Sequence, residues 1–262
     1  MEKDPRLEIV KQRSYKVVKA NEIIQNARYD LTLTELKVLA YIISHIKPDD
    51  KEFSEYVFSI PDFCKVCGFD YANGHNYERI KKALKTMRDK SFWLTKEDGS
   101  ETLIGWINKI TVKRGSGKVI VRLDEDMQKY LVSLYSNYTQ YTLIYALPMQ
   151  SRFSIRLYEI LKSYQYKNNK FSKSFEITDL KSKLAAPYKN FKDFRHKVLE
   201  ISTREINLYT DIEISWEPIK EGRTVSEVCF NVTVKKDFDQ LDAWYNSEKK
   251  LDGQMSLADI EF

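Results

Sequence analysis

The chain has 262 residues, 42% apolar and 31% charged, with only 8 Gly and 6 Pro. That is enough to fill a real core, and it excludes low-complexity and collagen-like chains. No run of about 18 uncharged apolar residues marks a membrane span, and Met1–Lys19 lacks the apolar stretch of a secretory signal. Three cysteines, few and odd in number, do not make a disulfide framework, which fits a reducing cytoplasm. The net charge of +5 is unevenly spread: Asp237–Phe262 holds seven acidic and two basic residues, leaving residues 1–236 at +10. A basic body with an acidic tail points to a polyanionic partner for the body.

The first periodic run is Leu31–Ile46, where Leu36, Leu39, Ala40, Ile43 and Ile46 follow the spacing of an amphipathic helix. Thr32 with Glu35 predicts a capping box at its start, and Pro48–Asp49 its end. A short helix is expected to begin within Phe58–Phe63, capped by Ser59 and stopped by Gly68. Asn76–Lys90 reads as a third helix, with Tyr77, Ile80, Leu84 and Met87 on one face. Gly105–Val112 and Val119–Leu123 then read as two strands joined by the tip Lys113–Lys118. Three helices followed by a β-hairpin are the order of a winged helix, a variant of the helix-turn-helix.

The order then recurs. Ser151–Tyr164 predicts a helix, Phe175–Leu180 opens a short one 117 residues after Phe58, and Tyr188–Asn207 predicts another third helix. Its apolar positions Phe191, Phe194, Val198 and Ile201 match Tyr77, Ile80, Leu84 and Met87 at an offset of 114. Alternating strands follow at Ile212–Trp216 and Val228–Val234, with a turn at Lys220–Arg223. The expected fold class is α+β: two tandem winged-helix domains related by internal duplication. The expected division is an N-terminal domain at 1–135, a connector at 136–150, a C-terminal domain at 151–236 and an acidic tail at 237–262.

Placed on a helical wheel, the first third helix turns His75, Glu78, Arg79, Lys82, Lys85 and Thr86 outward, and the second turns out Lys189, Lys192, Asp193, His196 and Glu200, flanked by Arg195 and Lys197. The hairpin tips add Lys113, Arg114 and Lys118, then Lys220 and Arg223. Arg and Lys neutralise phosphates, Arg bonds guanine bidentately, and Glu78 has the chemistry to accept from a cytosine amine. Any one of these lysines is also what a solvated helix surface carries. Two basic helices and two basic tips in matching register point to duplex DNA.

Enzymatic signatures are absent. The sequence lacks GxxxxGK[ST] and GxGxxG, and His45, His75 and His196 form neither HxH nor HExxH. Cys64 and Cys67 make a lone CxxC inside an apolar helical run, which reads as buried thiols rather than half a metal site. No catalytic residue, metal or other cofactor is expected. A rolling-circle nicking enzyme, which would need a metal cluster beside a catalytic tyrosine, finds no such cluster.

At this point the chain resembles the plasmid replication initiator (Rep) proteins that bind iterons, the direct repeats of plasmid origins. The resemblance lies in VVKANEIIQNARYDLTLTELKVLAYIIS (Val17–Ser44), IKKALKTMRDKSFWL (Ile80–Leu94), YTQYTL (Tyr138–Leu143), SRFSIRLYEILKSY (Ser151–Tyr164) and KNFKDFRHKVLEISTREINLYTDI (Lys189–Ile212), and spans about residues 15–235. It implies two winged helices and no catalysis. It implies that monomers bind iterons and help open the origin, while dimers joined through the first domain bind an inverted repeat and repress the initiator gene. It also implies a host initiator ATPase and a replicative helicase as partners, a cytoplasmic, plasmid-associated location in bacteria and no membrane role. Two recognition helices would then sit about one turn of DNA apart, roughly 34 Å. A dimeric repressor of the same architecture without an initiator role is the alternative. In the tail, Gln254, Met255, Ser256 and Leu257 look like the peptide that bacterial sliding-clamp ligands insert into the clamp's apolar groove, against the plainer reading of a disordered acidic tail.

Overall fold

The computed structural model describes residues 5–47, 50, 55–69, 75–96, 98–113, 115–166, 168–236 and 238. It opens with α1 (Pro5–Arg13), β1 (Lys16–Ala20), α2 (Asn21–Asn26) and the short β2 (Ala27–Arg28). α3 (Leu33–Ile43) starts at the expected capping box: the Thr32 hydroxyl accepts from the Glu35 N–H, and the Glu35 carboxylate accepts from the Thr32 N–H at 2.9 Å. Thr32→Ala is therefore expected to cost about 1 kcal/mol, read as a fall of roughly 2–4 °C in Tm. The apolar spacing of α3 predicts one buried stripe, but nearly the whole helix is buried, Lys37 included, because β1 and three later helices enclose it.

The short helix α4 (Ile60–Cys67) follows β3 (Tyr56–Ser59), a strand that sequence periodicity had folded into the helix start. Ser59 caps it by accepting the Asp62 N–H at 3.1 Å. Gly68 ends it at φ 69°, in the left-handed region that glycine enters without a Cβ clash. α5 (His75–Asp89) buries Ile80, Ala83, Leu84 and Met87.

The run expected as one strand from Gly105 is divided. β4 (Ser91–Thr95) and β5 (Glu101–Gly105) form an extra hairpin that pairs through β4 with β2. The chain turns at Trp106, which lies buried with its ring 4.3 Å from Phe92 and 4.8 Å from Tyr29 between centroids. β6 (Ile107–Val112) and β7 (Lys118–Leu123) then make the wing, with β7 central in the antiparallel order β3-β7-β6. After a 3-10 turn (Glu125–Met127) and α6 (Gln128–Leu131), β8 (Tyr138–Thr142) pairs antiparallel with β1. The expected connector segment thus contains a paired strand, and Tyr141, Leu143, Ile144, Leu147 and Met149 within it are buried.

The second unit runs α7 (Arg152–Ser163), β9 (Lys170–Glu176) and α8 (Ile177–Lys183). A continuous helix follows, made of α9 (Phe191–Phe194), a π-turn (Arg195–Leu199) and α10 (Glu200–Tyr209). β10 (Ile212–Glu221) and β11 (Thr224–Val234) complete the antiparallel order β10-β11-β9, which is the arrangement of β6-β7-β3 again. Each unit therefore has a helix, a strand leading into a short helix, a long third helix and a wing whose second strand is central. These are two winged-helix domains in tandem.

The two third helices part company at the π-turn. Up to Val198 the offset of 114 holds, pairing Ile80 with Phe194 and Leu84 with Val198, all buried. A π-turn adds a residue to one turn. Beyond it Met87 aligns with buried Ser202 rather than with half-buried Ile201, an offset of 115. The buried set of α10 becomes Ser202, Glu205, Ile206 and Tyr209. Glu205 then reaches back to the start of α7, where its two carboxylate oxygens accept the Gln150 N–H at 3.0 Å and the Ser151 N–H at 3.2 Å.

A buried ionic group locks α7 to the first unit. Glu159 receives Lys19 Nζ at 2.6 Å, Arg156 at 3.1 Å and the Tyr141 hydroxyl at 2.7 Å. Arg156 also donates to the Ile24 carbonyl at 3.2 Å and stacks over the Tyr29 ring. Nearer the surface, Arg28 pairs with Asp179 at 2.7 Å, Lys183 donates to the Gln25 carbonyl, and Arg152 pairs with Asp30.

Candidate nucleic-acid interface

Each third helix turns one face into its own domain and the other to solvent. In α5 the buried stripe leaves His75, Glu78, Arg79, Lys82 and Lys85 exposed, as the helical wheel predicts, while Thr86, also expected outward, is half-buried with its hydroxyl donating to the Lys82 carbonyl at 2.9 Å. Arg79 lies over the Phe69 ring, 5.4 Å from its centroid, a contact that steadies a long cationic side chain. Glu78 pairs with Lys81 at 3.3 Å across one helical turn. Such an exposed pair adds little to stability and opens easily.

The second reader begins at Asn190, whose side chain accepts the Asp193 N–H at 2.8 Å and so sets the helix start. Phe191 rests edge-on against Trp216 of β10, 6.4 Å between ring centres, and Phe194 fills the core below. Lys189, Lys192, Arg195, His196 and Lys197 are all exposed. Lys197 sits over the Tyr188 ring at 5.3 Å. Arg195 Nε and His196 Nδ1 both bond Glu200, each at 2.8 Å. Hydrogen bonds from His196 and then Arg195 hold the Glu200 carboxyl below the usual carboxylate range. Among the described residues, Lys82, Lys85 and Lys192 make no ion pair, so their charges are available to an anion.

The wings differ in length. The first is closed by the Lys113 N–H donating to the Lys118 carbonyl at 2.9 Å, and both lysines are exposed at its tip. Arg114 lies outside the described residues, as do Gln254, Met255, Ser256 and Leu257 of the tail. The second wing has strands of 10 and 11 residues joined by Gly222-Arg223. Gly222 stands at φ 61° with open space around it, so backbone conformation, not crowding, is what asks for glycine there. Lys220 and Arg223 are exposed at this tip. Lys189 lies just before the helix rather than on it, because the helix expected from Tyr188 starts at Phe191 under the Asn190 cap; the other described candidates sit on the third helix and wing of each domain, in the same topological positions.

Sequence reasoning placed Glu200 on the outward face but gave it no part in the site. Its pairing with Arg195 depends on the π-turn, which periodicity does not reveal. Cys64 and Cys67 lie together inside the core, where burial pushes their thiols up to about 11 and about 12. Among the described residues no group of His, Cys, Asp or Glu has the arrangement of a metal site, and no helix is long and apolar enough to cross a membrane.

Comparison with known proteins matches both domains. Residues 16–162 match the family described as "Initiator Replication protein, WH1", and residues 169–232 match "Initiator Rep protein, WH2". The first match includes α7, in keeping with the buried bonds that tie that helix to β1 and β8. Among solved structures, the Pi initiator protein in complex with iteron DNA has the same fold: TM-score 0.71 at 19% identity, covering 86% of this chain and 99% of that one. Domains 2 and 3 of RctB align at TM-score 0.48 and 11% identity, covering 78% of this chain and 81% of theirs. With more than half of its length in the WH1 match and a WH2 match following, the chain belongs to the initiator replication protein family.

Proposed function

We propose that this protein is an iteron-binding plasmid replication initiator, whose two winged helices read successive stretches of one origin duplex. The observation that carries the proposal is the repeated pairing of an exposed basic third helix with a basic wing. The fold likeness to an initiator solved with iteron DNA supports it. In this reading His75, Glu78, Arg79, Lys82 and Lys85 form the first reader, and Lys189, Lys192, Arg195, His196 and Lys197 the second. Lys113, Arg114 and Lys118, with Lys220 and Arg223, grip the backbone from the wings. Residues 1–135 and 151–236 act as the two DNA-binding units, joined by 136–150.

The action is binding and opening rather than covalent chemistry. Monomers engage the repeats, and dimers formed through the first domain repress the initiator gene at an inverted repeat. A host initiator ATPase and helicase are recruited to the opened origin, and the acidic tail from 237 offers Gln254–Leu257 to the sliding clamp.

Selection from a pool of random duplexes tests the reading. The expected product is a site recurring as direct repeats at natural origins, bound with a steep salt dependence. A complex with about 6–10 phosphate contacts loses on the order of 10³–10⁵ in affinity between 50 and 200 mM salt. Recovery of an inverted repeat alone, with no support of origin-plasmid replication, would identify a dedicated repressor. A tyrosine-linked nick in supercoiled origin DNA with Mg²⁺ would overturn the non-catalytic reading.

A further inference from the structure

The two readers share a scaffold, but only the second carries a π-turn. In a regular α-helix, residues five apart point about 140° away from each other. In the widened turn the Glu200 N–H bonds the Arg195 carbonyl, and the side chains of residues 195 and 200 come onto one face. Glu200 can then serve two neighbours at once. Its Oε1 takes Arg195 Nε and its Oε2 takes His196 Nδ1, each at 2.8 Å. Each bond uses the side-chain nitrogen nearer the backbone. Among the described residues, the two Nη nitrogens of Arg195 and the Nε2 of His196 make no hydrogen bond within the protein, and their side chains are 51% and 49% exposed. An arginine held through Nε keeps its Nη groups for a second partner, and holding it beforehand removes much of the rotamer entropy that binding would otherwise cost.

We propose that Glu200 is a positioning residue for base reading: through the π-turn it fixes Arg195 and His196 with the Arg195 Nη donors and the outer ring nitrogen of His196 presented to the DNA. The inference deepens the function proposed above and rests on the Lys189–Lys197 segment being a DNA reader. A further carboxylate on a mainly basic face weakens attraction to phosphate. Its benefit is therefore confined to sequences whose base edges meet the aligned Arg195 and His196.

The test uses the full chain and two probes of equal length: the duplex that the wild-type protein selects from a random pool, and an unselected random-sequence duplex. Dissociation constants come from fluorescence anisotropy at one fixed salt concentration, and thermal melting confirms that each variant is folded. Glu200→Ala is expected to weaken binding of the selected duplex about tenfold, while affinity for the random duplex holds or rises. Glu200→Gln, which keeps an acceptor but loses the charge, is expected to fall between the two. In a chain already carrying Arg195→Ala and His196→Ala, adding Glu200→Ala is expected to leave the ratio of the two affinities unchanged. Equal shifts on both probes would overturn the proposal, as would a further fall in the ratio within the double-variant chain. Failure of the wild-type protein to select any duplex sinks the DNA-reading function as well; a selected site whose ratio ignores Glu200 sinks this inference alone.

Discussion

Glu159→Ala is expected to lower the stability of the folded chain by about 3–5 kcal/mol, the cost of removing one member of a buried charge group. Glu159 and Arg156 side chains are 1% and 4% exposed and Lys19 is 7% exposed, so the two cations have almost no water to turn to. Burial alone would raise the Glu159 carboxyl, but Lys19 and Arg156, with the hydrogen bonds from Lys19 and Tyr141, outweigh it and hold the group below its ordinary range. Burial keeps the Tyr141 phenol far above its usual value, so it stays a neutral donor to that carboxylate. Truncation to Ala would leave Lys19 and Arg156 as uncompensated charges between the first unit and α7. Urea unfolding monitored at neutral pH measures the loss; a cost below about 1 kcal/mol, the level of an exposed pair, would show that water reaches the site.

The same group sets an acid limit. A carboxyl depressed by folding contributes stability above its unfolded pKa, about 4.3 for Glu, and loses it as pH falls through the lower folded value. Glu159→Gln has no such carboxyl to titrate. The stability gap between wild type and Glu159→Gln is therefore expected to narrow as pH drops below about 4 and to be flat from 5 to 8. Paired unfolding curves across that range check the sign: a gap that widens on acidification contradicts a depressed pKa.

Much of the fold was legible because local signals agreed with tertiary need. Thr32 and Glu35 cap α3, Ser59 and Gly68 bound α4, and alternating Ile212, Ile214 and Val228, Phe230, Val232 form the central wing pairing. The outward residues of the third helices were readable because an amphipathic helix in a winged domain has one buried stripe. What stayed hidden depends on long-range partners. β3 and β9 are short strands whose pairing comes from β7 and β11, roughly 60 residues later in each case, and nothing in their own spacing distinguishes them from the helix start that follows. The β4–β5 hairpin is visible only once Trp106 is seen to be buried against Phe92 and Tyr29. Lys19 and Glu159 lie 140 residues apart, and neither looks different from a surface charge in sequence. The π-turn leaves the apolar pattern intact up to Val198 and shifts it by one residue afterwards, too small a change to read without Ser202 and Ile201 in place.

Arg195→Ala and Lys192→Ala, two neighbours on one helix, are expected to weaken DNA binding in different ways. Arg195 is anchored through Nε, which leaves its two Nη nitrogens for bidentate contact with a guanine edge. Its removal should cost about 1–3 kcal/mol on the selected duplex and relax preference at one base position, with far less effect on random DNA. Lys192 is exposed, makes no ion pair among the described residues and ends in a single mobile ammonium, which suits a phosphate rather than a base pattern. Lys192→Ala should weaken selected and random duplexes to a similar degree and reduce the slope of log affinity against log salt by about 1. Measuring both variants on both probes over a salt series separates the two roles. If Arg195→Ala lowers the salt slope and leaves base preference untouched, then Arg195 is a backbone contact, and reading must come from elsewhere on the second helix or from α5.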